Sequence, residues 1–126
     1  MISILPNSLM SVVTMLMVRL YLLKTQQILK IKVILGYYPC KTFAPSTYFI
    51  IKSRFLTAEQ MHSYLKDIRQ RSQLATIIII GKDINYEELF KNHYRVFGVI
   101  DTSDKFSLRD IRKQINDCLD AIYSTN

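Results

Sequence analysis

"ATIIII", residues 75–80, is a strand-length run with four consecutive isoleucines and no polar residue alternating among them. A half-exposed strand shows alternation, so an unbroken apolar run of this length predicts a strand covered on both faces, the mark of a parallel sheet. Immediately upstream, "TAEQ" (57–60) has the form of a capping box, with Thr57 as N-cap, Gln60 reaching back, and Leu56 and Met61 placed for a hydrophobic staple. Met61, Tyr64, Leu65 and Ile68 then recur on one helical face. Downstream, "NYEELFKNH" (85–93) predicts a short helix whose first turn holds Glu87 and Glu88, where the helix dipole favours them. "VFGVI" (96–100) follows as a strand, and a last helix opens at Ser107 with Asp110 three residues on. That helix is expected to bury Leu108, Ile111, Ile115, Cys118, Leu119 and Ile122.

Toward the N-terminus the same alternation continues. "YFII" (48–51), "IKVIL" (31–35) and "ISIL" (2–5) read as strands, and Pro6, Asn7 and Ser8 suit a turn and N-cap before a helix. The order is strand, helix, strand, strand, helix, strand, helix, strand, helix. Such alternation implies right-handed crossovers and a doubly wound sheet with helices on both faces. Only "GYYPCKTFAPST" separates the second and third strands, too short for a full helix with its loops, so a shortened or missing helix is expected there. The 126 residues are one domain's worth.

"LMSVVTMLMVRLYLL" (9–23) is shorter than the ~20 residues that span a bilayer, contains Arg19, and has no positive charge before it to make a signal peptide. A mostly buried first helix is expected, with no membrane partner. The two cysteines, Cys40 and Cys118, form no ligand or C-x-x-C pattern, which fits a reducing, cytoplasmic setting.

Net charge is +7, and all of the excess lies in residues 1–56: Arg19, Lys24, Lys30, Lys32, Lys41, Lys52 and Arg54, with no Asp or Glu before Glu59. A basic half can mark a nucleic-acid or anionic-membrane footprint, although these residues are scattered as on a solvated face. "GKD" (81–83) lacks the glycine and Ser/Thr of a phosphate loop. His62 is expected at the surface and His93 at a helix end, neither with a nucleophile at a telling spacing. Tyr86, Phe90, Tyr94 and Phe97 are expected in the core rather than around a ligand.

"ATIIIIGKD" and "FGVIDTSDKFSLRDIRKQINDCLDAI" together resemble the fourth strand, fifth strand and last helix of the receiver domain of response regulators, in the style of those with a C-terminal helix-turn-helix. The resemblance implies a flavodoxin-like, five-stranded parallel sheet of order 2-1-3-4-5. In that family an acid pair after the first strand and an aspartate ending the third bind Mg²⁺, the aspartate accepts a phosphoryl group, and a Ser/Thr and a Lys after the next two strands respond. Here the acid pair falls on Pro6 and Asn7, the acceptor on Lys52, the Ser/Thr on Gly81, and the lysine on Thr102 beside Asp101. With no acid before Glu59, no metal, cofactor or catalytic residue is expected. Two readings of Lys52 and Asp101 stand open: an exchanged ion pair across the sheet's carboxyl edge, or Lys52 reaching solvent while Asp101 caps a turn. The resemblance also implies a dimer face bearing Tyr94, Lys91, Arg95, Asp104, Lys105, Arg109, Arg112 and Lys113, for which an ordinary solvated helix face is the alternative.

The function expected is thus that of a pseudo-receiver, a regulatory and homodimerising module of a bacterial transcription regulator that contacts DNA only through an output domain outside residues 1–126. The alternative is a small basic domain that binds nucleic acid through its acid-free half.

Overall fold

The structure, a computed structural model, describes residues 2–6, 8–25, 33–36, 47–53, 56–102 and 107–123. Five strands, β1 (Ile2–Leu5), β2 (Val33–Leu35), β3 (Thr47–Lys52), β4 (Thr76–Gly81) and β5 (Gly98–Asp101), form one all-parallel sheet in the order β2-β1-β3-β4-β5. Helices α1 (Leu9–Thr25), α2 (Ala58–Arg71), α3 (Tyr86–Lys91) and α4 (Leu108–Tyr123) complete the described chain. This is the flavodoxin-like architecture with four helices, and residues 37–46, where the shortened helix was expected, lie outside the described residues.

The isoleucine run shows why the sheet is doubly covered. Successive strand side chains point to opposite faces, so Ile78 and Ile80 pack with α1 and α4, while Ile77 and Ile79 pack with α2 and α3. All four are buried, with no more than 1% of their surface exposed. β3 divides the same way, Phe49 and Ile51 to one core and Tyr48 and Ile50 to the other.

Local signals set the helix boundaries. Gln60 N donates to Thr57 Oγ1 (3.1 Å) and Thr57 N to Gln60 Oε1 (3.0 Å), completing the capping box, and Leu56 and Met61 are buried in one cluster. Ser107 and Asp110 reciprocate in the same way at α4, where the bonds from Ser107 hold the Asp110 carboxyl below the ordinary aspartate range. Ser8 accepts from Ser11 N at 3.2 Å at the start of α1. Strand edges differ from expectation by one or two residues, most at β5, which begins at Gly98 rather than Val96.

Two burial expectations are corrected. Leu108, in the first turn of α4, is 59% exposed, and the helix seats itself through Ile111, Ile115 and Leu119 instead. α1 is apolar all round yet buries only the side facing the sheet, including Met17, Val18, Tyr21 and Leu22, while Leu9, Leu16, Leu20 and Leu23 face outward.

α1 and α4 are tied by Tyr21 Oη donating to Asp120 Oδ1 at 2.7 Å, and α4 reaches β3 through a 2.5 Å bond between Tyr123 Oη and Thr47 Oγ1. Burial, reinforced by Asp120, pushes Tyr21 up to about 12. A raised folded-state value stabilises the fold fully below the ordinary tyrosine pKa, and that stability is lost as pH rises through the folded value. Tyrosinate absorbance is therefore expected to include a late step near pH 12 from Tyr21, with alkaline unfolding accompanying it. Asp120→Ala should bring this step to lower pH.

Candidate functional site at the carboxyl edge

In open parallel sheets, ligands bind beyond the carboxyl ends of the strands. The register aligns Lys52 with Gly81 and Gly81 with Asp101, and Thr102 N donates to Gly81 O at 2.8 Å, extending the ladder one residue further. Pro6 follows β1 on the other side of β3, and its carbonyl accepts from the Ser11 hydroxyl as the chain turns into α1. The fold thus places Pro6, Lys52, Gly81, Asp101 and Thr102 along one edge. Asn7 lies outside the described residues.

Gly81 is where this edge is tightest. A Cβ built on it would fall on the Lys52 carbonyl oxygen and lie 2.7 Å from Lys52 Cβ, so the end of β3 occupies the space a side chain would need. No hydroxyl-bearing residue fits there without moving β3.

The exchanged ion pair between Lys52 and Asp101 is not made: among the described residues no salt bridge joins them. Strands lie about 4.8 Å apart, so termini separated by β4 are roughly 10 Å apart, and Gly81 offers no side chain to bridge the gap. Asp101 Oδ2 instead accepts from Tyr86 Oη at 3.0 Å, which fastens the first residue of α3 to the end of β5. Burial and this bond raise the Tyr86 hydroxyl above the ordinary tyrosine range.

Lys52 lines a groove between α2 and α3 with Met61, His62, Asp83, Glu88 and Tyr94. Its volume is about 60 Å³, far below the roughly 300 Å³ at which small-molecule sites begin. Tyr94 is buried here with 7% exposure, its hydroxyl bonded to His62 Nδ1 and the two rings edge to face at 5.4 Å. Burial, with Glu88 nearby, holds the Tyr94 hydroxyl above its ordinary range. Tyr94 is therefore removed from the expected dimer face, because the loop after α3 turns it inward against Leu65, Ile84 and Leu89.

That loop is held by Arg69, which sequence inspection passes over as one more surface cation of α2. Its guanidinium donates to the carbonyls of Tyr94 (Nε, 2.5 Å), Ala75 (Nη1, 2.6 Å) and Arg95 (Nη2, 2.7 Å). Arg95 in turn donates to Gln73 Oε1 at 2.6 Å. His93 and Arg95 both have φ of 55°, a left-handed conformation that costs non-glycine residues about 1–2 kcal/mol each. Arg69 fixes the conformation by taking the carbonyls it presents.

Around the β5 edge, Tyr86, Phe90 and Phe97 are 44%, 79% and 49% exposed, which corrects the expectation that these aromatics are core. Lys91, Arg95, Arg109, Arg112 and Lys113 are exposed, whereas Asp104 and Lys105 lie outside the described residues. The described basic residues of the first half are dispersed, Arg19 and Lys24 on α1 and Lys52 at the edge. Among the described residues no group of three or more His, Cys, Asp or Glu is placed to hold a metal, and no helix is long and apolar enough to cross a membrane.

Comparison with protein-family models, curated proteins and solved structures finds no match to this chain.

Proposed function

We propose that the chain is a phosphorylation-independent pseudo-receiver, a regulatory and dimerising module of a bacterial two-component-type transcription regulator that works by protein contact and not by turnover. The observation that carries this reading is the carboxyl edge. A phosphoryl-accepting edge needs hard oxygen ligands for Mg²⁺ and a carboxylate at the end of β3. The corresponding positions here are Pro6 and Lys52, and the Gly81 position is filled by the backbone of β3.

The surface beside β5 supports contact with a second copy. Exposed aromatics supply area, and basic residues intermixed with Asp110 and Asp117 on α4 can set register about a two-fold axis. Sedimentation equilibrium is expected to show a monomer–dimer equilibrium that Phe90→Ser and Arg112→Glu each weaken by about tenfold or more. A monomer at every concentration, with DNA affinity that falls steeply with salt, would replace this reading with direct nucleic-acid binding.

A further inference from the structure

The outer face of α1 gathers four exposed leucines on one helix. At 3.6 residues per turn, Leu9, Leu16, Leu20 and Leu23 fall within about 60° of arc, forming a ridge roughly 21 Å long. These leucines are 83%, 54%, 48% and 59% exposed, and the half-buried Val12 and Val13 widen the ridge near its start. A contiguous apolar ridge of this size, unlike singly scattered leucines, marks a contact surface.

Charge indicates what contacts it. Arg19 flanks the ridge on one side and Lys24 on the other, both exposed, and the sequence holds no acid before Glu59. Asp120 of the adjoining helix α4 is held by Tyr21, about a third of a turn away from the ridge. Among the described residues, the charges of α1 that flank the ridge are both cations, and a leucine ridge so flanked suits a lipid interface, leucines among the upper acyl chains and cations against phosphate. A two-fold contact between copies of the ridge would bring cationic borders together with no acid on α1 to offset them.

We infer that the outer face of α1 docks the domain on an anionic lipid surface, as a peripheral contact that leaves the fold intact. This inference is independent of the regulatory reading, because it uses neither the carboxyl edge nor the β5 surface.

The test is co-sedimentation of the full chain with vesicles of phosphatidylglycerol and phosphatidylcholine in equal parts, and with phosphatidylcholine alone. Binding is expected on the anionic vesicles and should weaken as salt is raised. Leu16→Ser with Leu20→Ser should reduce it by about tenfold or more, and Arg19→Gln or Lys24→Gln by about fivefold each. Because all four side chains are exposed, the variants should keep the wild-type urea midpoint, which separates loss of docking from loss of fold. Absence of binding by the wild-type chain, equal binding to both vesicles, or binding unaffected by the double leucine change would overturn the inference. So would a concentration-dependent dimer that the double change abolishes, since the ridge would then belong to a second copy.

Discussion

Arg69→Ala is expected to lower stability by about 3 kcal/mol, read as a fall in the urea midpoint with little change in slope. The side chain supplies three charge-assisted bonds of 2.5–2.7 Å to carbonyls from two separate segments, the loop before β4 and the loop before β5. Its removal leaves the Tyr94 carbonyl on a buried residue and frees two left-handed residues to relax. Arg69→Lys is expected to recover less than half of the loss, because an ammonium cannot address three divergent acceptors as a planar guanidinium does. The same variants should increase amide exchange across residues 92–97 while leaving α1 and α4 protected. A loss below about 1 kcal/mol would mean that water replaces the guanidinium at little cost.

Gly81→Ala is expected to be comparably damaging, at about 3 kcal/mol, for a steric reason. The added Cβ meets backbone, the Lys52 carbonyl, and backbone at a strand end cannot swing aside as a flexible side chain could. The other two glycines calibrate the expectation. At Gly36, with φ of +95° and nothing within 4 Å of an added Cβ, alanine should cost about 1 kcal/mol of backbone strain. At Gly98 an added Cβ meets Cys118 Sγ at 3.6 Å, an ordinary contact, so alanine should be close to neutral. Thermal or urea unfolding of the three variants tests that order. If Gly81→Ala were as mild as Gly98→Ala, the edge would have room for a side chain and the closed-edge description would fail.

The fold was legible in the sequence wherever a signal is local. Thr57 with Gln60 and Ser107 with Asp110 announce helix starts because both bonding partners lie within one turn. The isoleucines of β4 announce a doubly covered strand because each face of the sheet needs its own apolar set. The alternation of elements and the handedness of crossovers implied a doubly wound parallel sheet, while the order 2-1-3-4-5 was an expectation drawn from the resemblance to receiver domains.

The site was less legible because its decisive contacts join distant positions. Nothing near Arg69 shows that its acceptors are carbonyls up to 26 residues away, and nothing near Tyr94 shows that its hydroxyl meets His62 across 32 residues. Opposite charges at Lys52 and Asp101 suggested a pair, but the suggestion ignored the width of the intervening strand. Tyr86, at the start of α3, lies where its hydroxyl reaches Asp101. The outward leucines of α1 were obscured by composition, since a helix apolar on every side gives no periodicity by which to tell its buried face from its open one.

If the chain is the pseudo-receiver proposed above, its carboxyl edge carries no phosphoryl chemistry and its regulatory state is set by its own residues. The most direct measurement is sedimentation equilibrium of the purified chain over a wide concentration range, with and without Mg²⁺ and beryllofluoride. The predicted result is one association constant, unchanged by the metal and the phosphoryl mimic. A saturable shift of that constant in their presence would contradict the claim, because it would require an acceptor site that Lys52 and Gly81 leave no chemistry or room to form.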